Sequence, residues 1–330
     1  MKILFVHNHL SHFVQIDLQL LQQQWDVHEW YEQSPPINVL AVAHAVRQSD
    51  LIIGWFASWH TFWPFTLARL MGKPSLIIIG GYDVANMPEI GYGHQRGGVK
   101  KWISRWIVHI ASRCITFSNY SQKEIERNLG LTSSQIPLIY LGVPDPFATI
   151  DNRARENLAL TVGAVDHSNL LRKGHEAFVQ AAASLPEMTF ALVGLWCDDA
   201  AHLLRSMATP NVVLTDWLEP RELNSYFMKA AVYVQASQHE AFGLSVAEAM
   251  LAGCIPVVTQ SGSLPEVVGE CGVYIPSSSP GDIVTGIEEA SSLPKAARFE
   301  ARERILNRFS IEQRKQSLAQ VINSLVEQVP

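Results

Sequence analysis

The sequence predicts an α/β protein of two doubly wound domains in series. Three observations carry that prediction. Short apolar runs alternate with helical patterns from the first residue, the signature of parallel sheets with helices on both faces. The alternation breaks at Gly142-Val143-Pro144-Asp145-Pro146 and a polar stretch, Asp151 to Asn157, then resumes. The chain has 330 residues, 48% of them hydrophobic, well above what one small core needs. The expected domains are residues 1–150 and 151–308, with a terminal helical segment at 309–330. Two such units in series suggest a ligand cleft between them.

In the first domain, apolar runs place strands at Ile3–His7, Val27–Trp30, Leu51–Phe56, Ser75–Gly80, Cys114–Ser118 and Leu138–Leu141. Helical patterns fall between them near 12–24, 37–48, 60–72, 99–112 and 121–129. The second domain repeats the scheme, with strands at Leu158–Val162, Phe190–Val193, Val212–Leu214, Val232–Gln235, Ile255–Thr259 and Val273–Ile275. Its helices are expected near 174–185, 199–207, 220–230, 244–252 and 281–291, and residues 295–328 read as helix without strands.

The net charge of -6 argues against a broad nucleic-acid footprint. The charge is uneven: residues 1–150 hold 11 Lys/Arg against 10 Asp/Glu, residues 151–330 hold 14 against 21. The four cysteines, Cys114, Cys197, Cys254 and Cys271, have no paired spacing and read as reduced thiols of a cytosolic protein. MKILFVHNHL turns polar too early for a signal peptide, and no run approaches the roughly 18 apolar residues of a membrane span. A soluble protein is expected.

The run HEAFGLSVAEAMLAGCIPVV carries the most chemistry. Glu240 stands on a polar turn after a strand, and Gly243 opens a helix bearing Glu248. A glycine at a helix start lets backbone N–H groups of Phe242, Gly243 and Leu244 approach an anion, and carboxylates accept from sugar hydroxyls. In the second domain's opening loop, Arg172-Lys173-Gly174 precedes a helix, where two cations and a glycine can neutralise a diphosphate. Each glutamate alone would pass for a solvated or capping residue, and the basic loop for an ordinary surface loop.

Together these residues resemble retaining glycosyltransferase family 4 and its E-x-F-G-x-x-x-x-E signature, matched by Glu240, Phe242, Gly243 and Glu248. The continuation Ala249-Met250, Gly253, Pro256-Val257-Val258 and Gly262, Pro265-Glu266-Val267-Val268 matches too. The resemblance implies a GT-B fold, two Rossmann-like domains facing each other across a cleft, with the final helix (Phe309 to Val326) crossing back to the first domain. It implies that Glu240 lies at the donor sugar, Glu248 at the ribose, and Lys173 at the diphosphate, with Gly163 and Gly194 passing close to the nucleotide and Thr215-Asp216-Trp217 near the base. Where many members carry Arg after the first strand glycine this chain has Ala164, and Arg172 is expected to supply the charge. Where many carry Gly-Gly after the first strand it has His7-Asn8-His9-Leu10-Ser11-His12.

On the acceptor side, Gly80-Gly81-Tyr82-Asp83 reads as a flexible turn in which Asp83 can bind hydroxyls, with His9 as a polar lining residue and Ser11 as a helix cap. The three histidines at 7, 9 and 12 have no acidic or cysteine partner nearby in sequence, so no metal site is assigned. His60, among aromatics, reads as a core histidine. No acidic residue lies between Glu89 and Glu124, where Arg96, Lys100, Lys101, Arg105 and Arg113 interleave with Trp102, Ile103, Trp106 and Ile107. That segment is expected to bury its aromatic stripe in the first domain; the competing reading is contact with an anionic membrane surface.

The resulting expectation is metal-independent, retaining transfer of a sugar from a nucleoside-diphosphate donor to a hydroxyl acceptor, with no cofactor and no Asp-x-Asp motif, since Asp198 and Asp199 are adjacent. Asp83, Glu240 and Lys173 are the candidate catalytic residues. The alternatives are an inverting GT-B enzyme or sugar phosphorylase, and a non-catalytic sugar-nucleotide or glycan-binding module. A dinucleotide oxidoreductase is disfavoured because no G-x-G-x-x-G follows a strand.

Overall fold

The computed structural model describes every residue except 148–149, 151–154 and 328–330. The described residues form two compact units, Met1–Gly142 with Ile311–Pro330, and Val143–Ser310. The division falls at the start of the Gly142–Pro146 break and ahead of the expected boundary at 150; most of the polar stretch Asp151–Asn157 lies outside the described residues.

The first unit holds a parallel sheet of β1 (Lys2–His7), β2 (Asp26–Tyr31), β3 (Leu51–Trp55), β4 (Ser75–Ile78) and β5 (Arg113–Ile115), in the order β2-β1-β3-β4-β5. The central strands are buried along their lengths because helices cover both faces, which is why they read as continuous apolar runs. The strand expected at Leu138–Leu141 does not form. Leu138 makes a single parallel bridge to Thr116, and the carbonyls of Ile139 and Tyr140 instead accept from the Arg314 guanidinium at 2.6 and 3.4 Å.

Arg314 lies on the terminal helix, Ile311–Glu327, and is fully buried. It donates to both oxygens of Asp17, at 3.0 and 2.6 Å, and Asp17 also accepts from the Trp55 indole N–H. An ion pair this deep holds only when its remaining hydrogen-bonding capacity is met, as the two carbonyls and the indole do here. The helical stretch expected over 295–328 is two helices, Ala296–Arg308 and Ile311–Glu327. They are parted where Val143 N–H donates to the Phe309 carbonyl.

The second unit is also all parallel: β6 (Glu156–Val162), β7 (Thr189–Val193), β8 (Val212–Thr215), β9 (Ala230–Gln235), β10 (Ile255–Thr259) and β11 (Val273–Ile275), ordered β11-β10-β9-β6-β7-β8. The chain starts this sheet at β6, builds outward through β7 and β8, then returns to β6's other side with β9. The order therefore reverses between β6 and β9, and in such sheets the crevice outside the carboxyl ends at the reversal is where ligands bind. All four cysteines are free thiols, Cys114 and Cys254 buried and Cys197 exposed. No helix among the described residues is long and apolar enough to cross a membrane.

Candidate active site

The loops leaving β6 and β9 supply the site. Gly163 follows β6, and the short helix His167–Arg172, capped by Asp166, delivers Lys173 and Gly174 ahead of the next helix. The β9 loop delivers Glu240, then Phe242 and Gly243, whose left-handed backbone (φ 92°) starts the Leu244–Leu251 helix. Gln238 N–H donates to the Arg172 carbonyl at 2.8 Å, and the Arg172 guanidinium donates to the His239 carbonyl, so the two loops are tied together.

Lys173 Nζ lies 3.7 Å from Glu240 Oε2, and each side chain is 16% exposed. Burial pushes the Lys173 ammonium below its usual range, partly offset by Glu240, with Arg172 adding to the depression. Burial pushes Glu240 upward, but Lys173, Arg172 and His239 outweigh it and hold the carboxyl below its ordinary value. The site thus pairs a fixed carboxylate with an ammonium whose charge is poorly solvated, the setting in which an arriving anion gains most.

The glycines around these side chains are required by close approach. A side chain at Gly194, after β7, would meet the Gly163 carbonyl at 1.9 Å. Gly262 has φ +64°, and a Cβ there would lie 2.2 Å from the Glu240 carbonyl oxygen, which Ser263 binds through its backbone N–H at 2.9 Å and its hydroxyl at 3.0 Å. The β10 loop therefore clamps the backbone of Glu240 from below.

Glu248 is half-buried on its helix. The Phe242 ring is 3% exposed and packs edge-on against Phe309 at 5.4 Å, so it anchors the loop in the core and leaves only its backbone for an anion. Leu244 is half-buried at the helix start. Beyond β8, Asp216 accepts from the backbone of Trp196 and Trp217, and the Trp217 ring is exposed.

A buried polar chain beneath Glu240 went unseen in the sequence. Gln235 donates to Glu240 Oε2 at 3.2 Å and to Ser237 Oγ at 2.7 Å, while its oxygen accepts from Tyr233 at 3.0 Å and Ser245 at 3.4 Å. Both glutamates lie near enough for their charge to raise the Tyr233 phenol, after burial as the main cause. A glutamine and a tyrosine in the otherwise apolar AAVYVQ strand were the available signal. His175, at the next helix start, is fully buried and held neutral, its pKa down to about 3 through burial and then Lys173 and Arg172.

In the first unit the predicted turn is braced rather than flexible. Asp83 is 1% exposed, and its carboxylate accepts from the backbone N–H groups of Ala57 (3.0 Å), Gly80 (3.3 Å) and Gly81 (2.9 Å). Those oxygens staple the loops after β3 and β4, which corrects the expectation that Asp83 binds hydroxyls. Phe56, φ 64°, is held in a conformation that costs a non-glycine residue energy, and its ring lies against Gly81. Tyr82 packs edge-on against Tyr92 and His94, His9 is exposed, and His60 is buried with Nε2 donating to the Trp55 carbonyl. Ser11 occupies the N-cap position, but its hydroxyl accepts no helix N–H. Asp198 and Asp199 meet His167 in an exposed cluster.

The fold, two Rossmann-like parallel-sheet units, is the GT-B fold of solved glycosyltransferases. Residues 156–292 match the family model described as "Glycosyl transferases group 1". The chain is 26% identical over 286 residues to a glycogen synthase of Mycobacterium tuberculosis, covering 80% of this chain and 69% of that protein. It is 25% identical over 189 residues to an uncharacterised 41.2 kDa protein in the cps region of Klebsiella pneumoniae, 52% of this chain and about half (51%) of that relative. Among solved structures, Anabaena Alr3699/HepE in complex with UDP and glucose superposes with a TM-score of 0.80 at 16% identity, over 98% of this chain and 100% of that one.

Proposed function

We propose that the protein is a retaining, family 4-type glycosyltransferase that moves a sugar from a nucleoside-diphosphate donor, of which UDP-sugars are the first to test, to a hydroxyl acceptor in the cytoplasm. The observation that carries this is the Lys173–Glu240 pair, set by two glycine-shaped loops at the point where the strand order reverses. As the bond from the sugar's anomeric carbon to the diphosphate breaks, negative charge grows on the departing phosphate. Lys173, Arg172 and the N–H groups at Gly243 and Leu244 stabilise it, so the step needs no metal. Glu240, fixed by Gln235 and Ser263, orients the sugar hydroxyls, and Glu248 accepts from the ribose. Tyr82 and His9 are the acceptor-side residues in this reading. The structure of a relative bound to UDP and glucose supports the donor class.

Thermal shift against UDP, GDP, ADP and their sugars tests the donor, because saturating ligand stabilises by mass action. With the donor found, Lys173→Ala lowers turnover about 100- to 1,000-fold, as loss of a transition-state charge partner does. Proton NMR of the fresh product reads the anomeric configuration, and inversion would sink the retaining assignment. Turnover abolished by EDTA would sink metal independence.

A further inference from the structure

Two neighbouring helices of the first unit present an apolar, basic face to solvent. Helix Gly98–Ile110 buries Ser104, Ile107 and Val108 against the core and leaves Val99, Trp102 and Trp106 exposed, Trp102 at 57% and Val99 at 72%. The expected burial is therefore overturned for Trp102 and Trp106, while Ile103 and Ile110 of the same stripe pack against the core. Ile107 and Val108 already fill the core contact, which turns the tryptophans outward. Trp102 and Trp106 stack at 5.9 Å, Trp102 packs on Phe62, and the Trp106 indole N–H donates to Thr66. Phe62 and Thr66 belong to helix Trp59–Leu70, which continues the surface with exposed Trp63 and Leu70 and leads into exposed Met71. A cleft of about 510 Å³ opens between the helices, with Arg69 and His109 among its lining residues.

The charge on this face has one sign. Residues 51–82 contain no Asp or Glu, nor do residues 90–123, so neither helix nor its flanks carries a carboxylate, while Arg69, Lys73, Lys100, Lys101 and Arg105 are all present. Exposed tryptophans on a helix edge prefer the interface between water and acyl chains. Flanking cations add attraction to an anionic leaflet, and the apolar ridge enters the headgroup boundary. A partner protein of ordinary mixed charge would not require so complete an absence of carboxylates over two separate segments.

We propose that the face formed by helices Trp59–Leu70 and Gly98–Ile110 docks on an anionic lipid bilayer, with Trp102 and Trp106 at the headgroup level and Lys101, Arg105 and Arg69 on lipid phosphates. The test is co-sedimentation of the full chain with vesicles of phosphatidylcholine alone, or with about one third phosphatidylglycerol. Binding is expected only to the anionic vesicles, weakening as salt rises, with a blue shift of tryptophan emission. Arg69→Glu with Lys101→Glu weakens it roughly fivefold or more per cation, and Trp102→Ala removes most of the emission shift. Arg69 and Trp102 are exposed and Lys101 is half-buried, so an unchanged melting temperature verifies folding, and donor hydrolysis in vesicle-free solution stays at the wild-type rate. Absence of binding, binding indifferent to these substitutions, or a dimer in sedimentation velocity that Trp102→Ala dissociates would each overturn the proposal. None of these outcomes bears on the donor assignment.

Discussion

At the scale of single residues, burial decides which carboxylates act and which hold structure. Glu240 keeps its charge because Lys173 and Arg172 outweigh its desolvation. Asp83, with backbone donors alone, is shifted the other way: burial raises it from the ordinary 3.8 to about 6, against the opposing pull of the Ala57, Gly81 and Gly80 N–H groups. Its folded pKa exceeds its unfolded one, so the folded state binds more protons between pH 4 and 6, and stability from this group falls as pH rises through that window. The shift is worth about 3 kcal/mol. The stability of the wild type relative to Asp83→Asn, from urea melts at each pH, is expected to shrink by about that amount between pH 4 and 7. A constant difference would show that Asp83 titrates normally.

At the scale of elements, the site is a set of loops pressed together at the carboxyl edge of one sheet. Gly262→Ala tests how tightly. A left-handed backbone costs an L-residue ~1–2 kcal/mol, and here the new methyl group also runs into the Glu240 carbonyl. Urea denaturation should register a loss of at least that size, and donor hydrolysis should fall because Glu240 moves with its clamp. A variant of normal stability and activity would remove the clamp from the account.

Much of this element-level picture is legible in sequence, for a physical reason. Strands covered on both faces read as unbroken apolar runs, so β3, β4, β6 and β10 stand out. The E-x-F-G-x-x-x-x-E run and the Arg172-Lys173-Gly174 loop are likewise local patterns, and the fold brings them within 3.7 Å. What stayed hidden depends on distant partners. Leu138–Leu141 has a strand's composition, but Arg314 takes its carbonyls. Trp102 and Trp106 have a core helix's spacing, yet the face beside them fills the core. Gln235 looks like one polar residue in a buried strand until Glu240 is placed over it.

At the scale of the whole molecule, the first unit is closed by the chain's far end. Arg314 neutralises Asp17 in the interior, 297 residues away in sequence. Removing one partner of such a pair leaves a buried charge uncompensated, so Arg314→Met is expected to cost about 3–5 kcal/mol in urea denaturation. Asp17→Asn in the same chain should recover part of that loss, since it removes the stranded charge and keeps an acceptor for the Trp55 indole. A double variant as unstable as Arg314→Met would show that the guanidinium's bonds to Ile139 and Tyr140 dominate instead.

That closure sets an order of events on the ribosome. The second unit ends at Ser310 and holds all its strands by Ile275, whereas the first unit, begun earlier, still lacks Ile311–Glu327. Until that helix is translated, Asp17 has no guanidinium to meet and the Ile139 and Tyr140 carbonyls lack their donor. The half that is made first is the half completed last, and a chain cut after residue 310 would keep every segment of the second unit but lack the helix that completes the first.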